Sequence, residues 1–428
     1  MIGYDEIEHA SLTDVGIRRS HNQDAHSAHL AADATQWQER GHIFLVADGM
    51  GAHAVGELAS ELAVGIIPHT YQKYASEGGI PALRKAFVEA NASIHAKGQQ
   101  NPEFGGMGTT TTALVLKPEG AWVGHVGDSR AYRIRAGRVE QLSFDHSLVW
   151  EMAKRQGVNP ENLPGVPSNV IVRSLGPEPL VQVDVEGPYP LQEGDIFVLC
   201  SDGLSGQVAD SEIGAIASSM PPGEACRCLI DLANLRGGPD NITVMVVRVC
   251  EKKTRPKRMV ADSGPWYHRV PWPMGSLLFG LLLVGEAVYL FYNAYRLLGI
   301  LAFLVASLAI FAGLVGLGFV FAEEKKRLAS QSSLPALKVY RDSPCQIDRP
   351  LVEQFSQTLA SFRQQIVDKQ WDADWTGYQQ FEDAARRLLA EGNCEAAFQE
   401  YCGGMHLLSV AVQGQRPKGE VFLPLWQR

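Results

Sequence analysis

Four aspartates sit where turns interrupt the first part of the chain: Asp24 in RRSHNQDA, Asp48 in LVADGMGAH, Asp202 in VLCSDGLSG and Asp240 in GGPDNITVMV. Each of the last three falls where an apolar run rich in β-formers meets glycine, so the spacing predicts a carboxylate at a strand end. Hard divalent cations such as Mg²⁺ or Mn²⁺ prefer oxygen ligands, and carboxylates converging from separate strands supply them. Two such ions side by side turn water into a nucleophile at neutral pH and clamp a phosphoryl oxygen. One aspartate in a turn is ordinarily a turn former or a helix cap. Four in this pattern point to metal-dependent hydrolysis.

The elements that must position them are legible in outline. Apolar β-type runs recur at 42–47, 110–116, 121–126, 195–200 and 242–249, and helical spacing fills 55–70 and 80–97. Residues 1–250 therefore read as one catalytic domain, with sheets inside and helices outside. At 428 residues and 46% hydrophobic, the chain is long enough for two or more cores. A net charge of −9 with no dominant basic face argues against a nucleic-acid partner. The seven cysteines lack disulfide-like or zinc-like spacing and read as plain thiols of a reducing cytosol. The N-terminus has neither a basic nor an apolar leader segment, so no cleaved signal peptide is expected.

Residues 251–272 form a basic, then polar, linker opened by Lys252, Lys253, Arg255, Lys257 and Arg258. Residues 273–322 change character. Stretches 274–292 and 298–321 approach or exceed the roughly 20 apolar residues that span a bilayer as helix. Their basic flanks, KKTRPKR and EEKKR, against a single Arg296 in the turn, predict a transmembrane helical hairpin with both flanks cytoplasmic. Glu286, mid-span, is expected to be neutral and bonded to the partner helix or another copy. Gly313, Gly316 and Gly318 would let helices approach closely, as in dimerisation. Residues 323–428 read as a mostly helical cytoplasmic region, with helices over 351–367 and 378–389 and a tetratricopeptide-like cadence over 385–408. Trp371, Trp375 and Trp426 are expected to pack rather than to cage a ligand.

Taken together, TDVGIRRSHNQDA, ADGMGAHAVGELAS, GMGTTTTAL, HVGDSRAYRI, FDHSLV, VIVRSLG, GDIFVLCSDGLSG and GGPDNITVMVV resemble, in order, the motifs of the bacterial metal-dependent protein phosphatase 2C family. The resemblance implies an α+β fold, a β-sandwich of two antiparallel sheets flanked by helices. It implies Mn²⁺ or Mg²⁺ as cofactor. Asp48 would bridge two ions and the Gly49 carbonyl would bind one of them, with Asp202 and Asp240 completing the other's ligands. Asp128 would help Asp202 hold a third, weaker ion, Arg19 would grip substrate phosphate, and Asp24 would hold water or lie just outside the ligand set. Arginine suits that role because its planar fork matches phosphate oxygens in pairs.

Some residues depart from the family pattern. Gln23 stands where many members carry glutamate, Ala52 replaces a glycine, and Met50 occupies the place of the eukaryotic histidine, with His53 nearby. None removes an expected ligand. The resulting expectation is a membrane-tethered serine/threonine phosphatase reversing the work of a eukaryotic-like kinase, against the alternative of a catalytically silent sensor of phosphoproteins or metal. The flap over 145–173 names no substrate.

Overall fold

The structure, a computed structural model, describes residues 2–51, 55–163, 165–167, 169–250, 272–293, 295–332 and 338–414. Ala52, His53, the basic linker and Trp426 lie outside the described residues. The chain divides into two compact units, Met1–Lys253 joined by Lys338–Arg428, and Thr254–Leu337.

In chain order the larger unit begins with β1 (Ile7–Asp14), β2 (Asp24–His29), α1 (Ala34–Glu39), β3 (His42–Met50), α2 (Val55–Tyr74) and α3 (Gly79–Gly98). There follow β4 (Gly108–Thr109), β5 (Thr111–Lys117), β6 (Gly120–Val126), β7 (Arg130–Arg135), β8 (Arg138–Gln141) and α4 (Leu148–Gln156). Then come β9 (Asp184–Tyr189), β10 (Ile196–Cys200), α5 (Asp202–Ser205), α6 (Asp210–Ser219), α7 (Pro222–Leu235) and β11 (Ile242–Val249). The smaller unit holds α8 (Trp272–Tyr292) and α9 (Arg296–Ser332). The chain then rejoins the larger unit as β12 (Arg341–Pro344), α10 (Arg349–Asp368), α11 (Trp375–Ala390) and α12 (Cys394–Gln413).

Two antiparallel sheets face each other, as the α+β sandwich expectation required. One runs β1-β11-β10-β7-β8-β12, the other β2-β3-β5-β6-β9 with β4 beside β3. Strand alternation divides the apolar residues between two layers. On β3, Phe44 and Val46 join Leu114, Val123, Phe197, Leu199, Met245 and Val247 between the sheets. Ile43, Leu45 and Ala47 face the other way, into a layer with Ala59, Ile67, Phe87 and Ile94 of α2 and α3.

Strand β7, RAYRIR, carries three arginines through the middle of a sheet. Each is matched: Arg130 to Asp145 at 2.7 Å, Arg135 to Asp195 at 2.6 Å, and Arg133 to Glu140. A charged side chain survives such burial only with a partner held in good geometry.

The C-terminal residues carry a strand that helical periodicity does not reveal. β12 pairs with β8, Arg341 opposite Gln141 and Pro344 opposite Arg138, and so extends the first sheet. Helices α11 and α12 form the helix pair read from the sequence, turned at Gly392 (φ +85°). The face that such a pair cannot bury alone is buried here on the catalytic domain. Phe355, Leu359, Phe398, Tyr401, Met405 and Leu408 share one core with Leu229, Leu232 and Val246. Trp371 and Trp375 pack, partly buried, against that core. All seven cysteines are free thiols.

In the smaller unit, Met274–Tyr292 and Arg296–Gly318 are long and apolar enough to cross a membrane. Gly280 is one point of close approach, where a Cβ would lie 3.1 Å from the Ala306 carbonyl oxygen. Gly313 and Gly316 are buried and Gly318 is exposed. Glu286 is exposed on α8, not packed between the two helices, which departs from the expected bond to the partner helix.

Candidate metal centre

The antiparallel pairing of β2 with β3 sets Asp24 directly opposite Asp48. Asp202 opens α5 immediately after β10, and Asp240 precedes β11, the strand beside β10. Asp128 lies in the turn between β6 and β7. Strand ends from both sheets thus bring the expected acids to one edge of the sandwich. Asp128, Asp202 and Asp240 line a cleft of about 310 Å³ together with Arg130, Trp150 and Asn169.

Two glycines make the close packing feasible. A Cβ on Gly49 would lie 2.5 Å from the Gln23 carbonyl oxygen, and one on Gly203 would run into the carbonyl oxygen of Asn241. Backbone comes this near only where no side chain intervenes.

Arg19 donates from Nη2 to Asp240 Oδ2 at 2.7 Å, with half of its side chain open to solvent. Asn241 holds the loop that carries Arg19. Its Nδ2 donates to the carbonyls of Val15 (2.9 Å) and His21 (2.8 Å), and its Oδ1 accepts from Gln23 N (2.9 Å). Ser201 donates to Asp24 Oδ2 at 2.8 Å and accepts from Thr243 N at 2.9 Å. Sequence reasoning missed both residues. Each acts through bonds to groups dozens to hundreds of positions away, and the only local signal was their place beside Asp202 and Asp240.

The carboxylates strain against one another. Burial, reinforced by the charges of Asp24, Asp202 and Asp128, raises the Asp48 pKa well above the ordinary range. Burial also pushes Asp24 up to about 7 and Asp128 up to about 8, with the charge of Asp202 adding to both. Burial and the charge of Asp240 raise Asp202 as well. No three described His, Cys, Asp or Glu side chains are already drawn tightly enough together to hold an ion. Yet Oδ1 of Asp24, Asp128 and Asp202 is buried without a hydrogen-bond donor. Buried carboxylate oxygens without donors, repelling one another, match what a hard cation would neutralise. The donor set fits a divalent metal.

A pH dependence follows for the metal-free protein. Because these folded-state pKa values are raised, the folded protein holds protons that the unfolded chain releases. The stability these acids contribute is then greatest at or below pH ~4, the unfolded carboxyl value, and is lost as pH rises through about 8. Thermal melting in chelator should give a lower Tm at pH 8.5 than at pH 5. Added Mn²⁺ should flatten or reverse that trend, since the ion displaces protons.

Comparison with known proteins agrees with this fold. The sequence pattern of the protein phosphatase 2C family matches residues 17–225. The chain is 34% identical over 241 residues to the serine/threonine phosphatase stp of Listeria monocytogenes, covering 55% of this chain and 93% of that one. The chain belongs to the protein phosphatase 2C family. Protein phosphatase PhpP of Streptococcus pneumoniae is 36% identical over 252 residues, 58% of this chain and 99% of its own length. The solved structure of the Mycobacterium tuberculosis serine/threonine phosphatase PstP/Ppp superposes with a TM-score of 0.50 at 31% identity, over 57% of this chain and 99% of that chain. Within this family, relatives such as PhpP are spanned almost end to end by little more than half of the present chain. Much of the remainder therefore has no counterpart in them.

Proposed function

We propose that this chain hydrolyses phosphoserine and phosphothreonine in cytoplasmic proteins, using Mn²⁺ or Mg²⁺, while anchored in the membrane by α8 and α9. The observation that carries the reading is the convergence of Asp24 and Asp48, opposite each other on β2 and β3, with Asp128 and Asp202 of the cleft, and Arg19 poised on Asp240 at the same edge of the sandwich. Asp48, the Gly49 carbonyl, Asp202 and Asp240 would hold two ions, and Asp128 with Asp202 a third. When bound, such ions supply a nucleophilic water at neutral pH and neutralise phosphoryl charge. Arg19 would release Asp240 to the metal and turn its fork to the incoming phosphate, orienting it for in-line attack. Asp24, steadied by Ser201, would accept a proton from attacking water.

The topology favours the anchoring. Residues before and after the apolar segment belong to one compact unit, so the chain must return to the side it left. An even number of crossings, here two, satisfies that, and the basic flanks support a cytoplasmic catalytic unit. Its substrates would be phosphoproteins, fitting the products of a eukaryotic-like serine/threonine kinase.

The test is phosphate release from a phosphothreonine peptide by the full chain in detergent micelles, with and without Mn²⁺. Metal-dependent turnover is expected, with Arg19→Ala raising KM at least tenfold, the ~1.5–3 kcal/mol of a charge-assisted bond. No turnover from folded, Mn²⁺-supplied protein would overturn the phosphatase reading.

A further inference from the structure

The segment that follows α9 packs on residues beside the catalytic cleft. Residues 145–173 form a flap whose helix α4 supplies Trp150 to the cleft wall, beside Asp128 and Asp202. The flap has its own small apolar cluster, Phe144, Val149 and Trp150, with Leu163 and Val166 packed on it, and Tyr340 closes this cluster from outside. The Tyr340 and Phe144 rings lie 5.5 Å apart. One residue on, the Arg341 guanidinium lies 4.8 Å from the centre of the Trp150 ring, while that of Arg130 lies 5.9 Å from the same centre. Arg341 also reaches Glu161 of the flap at 3.2 Å and Asp210 at 3.7 Å.

The strap carrying these residues is itself fixed. Tyr340 N donates to the Gln141 carbonyl (2.9 Å), and the Tyr189 hydroxyl donates to the Lys338 carbonyl (2.8 Å). The Lys338 ammonium and the Tyr340 hydroxyl both bond Glu186, at 2.7 and 3.1 Å. Glu186 and Tyr189 belong to β9 of the second sheet, while Gln141 and Arg341 pair within the first. The strap therefore ties the two sheets together and presents Arg341 to the flap.

We infer that Arg341 is a positioning residue for the proposed phosphatase reaction. It holds Trp150 and the flap in the conformation that receives the phosphorylated segment, so that the stretch emerging from the apolar hairpin sets the engagement of substrate. An arginine over the face of a tryptophan is attracted by the ring quadrupole, while its N–H fork stays free to pair with acids at its own edge. Lysine keeps the charge over the ring but loses the fork.

The inference rests on the phosphatase reading, and the experiment separates the two. Wild type, Arg341→Ala and Arg341→Lys full-length proteins are compared in micelles by hydrogen–deuterium exchange and by phosphopeptide kinetics with Mn²⁺. Expected for Arg341→Ala is faster exchange confined to residues 145–173 and a KM raised about fivefold with kcat changed less, with Arg341→Lys recovering part of both. Unchanged exchange in the flap, or faster exchange spread through both sheets, would overturn it, the latter by making Arg341 a general stabiliser. So would an equal fall in kcat and kcat/KM with no change in KM. If no variant releases phosphate, the phosphatase reading fails, and with it the role in catalysis, while the exchange measurement still decides whether Arg341 clamps the flap.

Discussion

Asp48→Asn in the full-length protein should reduce Mn²⁺-dependent phosphate release by at least a thousandfold, about 4 kcal/mol of transition-state stabilisation. Asparagine is nearly isosteric, so the fold persists, but it would offer one neutral oxygen in place of the carboxylate proposed to hold the metal. A second readout distinguishes lost metal binding from a damaged fold. Asp48 feels the charges of Asp24, Asp202 and Asp128 in the metal-free protein, so removing its acid should leave Tm in chelator unchanged or higher. Wild type should gain Tm as Mn²⁺ is added, about 2.7 kcal/mol of stabilisation at a hundred times Kd, and the variant should gain little. A variant that turns over at wild-type rate, or melts far below wild type in chelator, would count against the assigned role.

The next largest effect is expected far from the chemistry. Phe398→Ala should lower stability by about 3–5 kcal/mol, and activity should be lost in the same thermal transition. Phe398 is 1% exposed, and its ring centre lies 4.8 Å from that of Phe355. Both belong to the core that unites α10 and α12 with α7 and β11. Along α7, Cys228, Asp231 and Leu235 recur at helical spacing. Asp231 is paired with His406 of α12 at 2.7 Å, and Cys228 and Cys402 belong to the same core. For the same reason a protein cut after residue 250 should expose this face and aggregate or melt far below the full chain. Two separated melting transitions, with the phosphatase active between them, would show that the C-terminal helices fold independently.

These two cases mark where the sequence was readable. The acids at strand ends could be read because a strand run, a turn and a carboxylate are adjacent in the chain, and β3, β5, β6, β10 and β11 lie where the apolar runs do. β7 was harder, because its arginines break the apolar pattern and are matched only by acids distant in sequence. The destination of the C-terminal helices was not legible. Amphipathic spacing in α10 and α11 says that one face is buried, not against what. The four residues RDSP of β12 have no periodicity to betray a strand, and their place follows from the free edge of β8. The latching roles of Asn241 and Ser201 are legible only in three dimensions, since their partners include Val15, His21 and Asp24.

The discontinuity of the larger unit also orders events during synthesis. The sheet edge at β8 and the outer face of α7 are made early, but the strand and helices that cover them, from Lys338 onward, leave the ribosome only after both apolar helices have been made. The nascent catalytic domain must therefore wait, uncapped, while α8 and α9 are made. Under the proposed anchoring, enzyme maturation and membrane delivery would become one sequence of events. A ribosome that stalls within the hairpin would leave an unfinished phosphatase for quality control to recognise, not a free and active one.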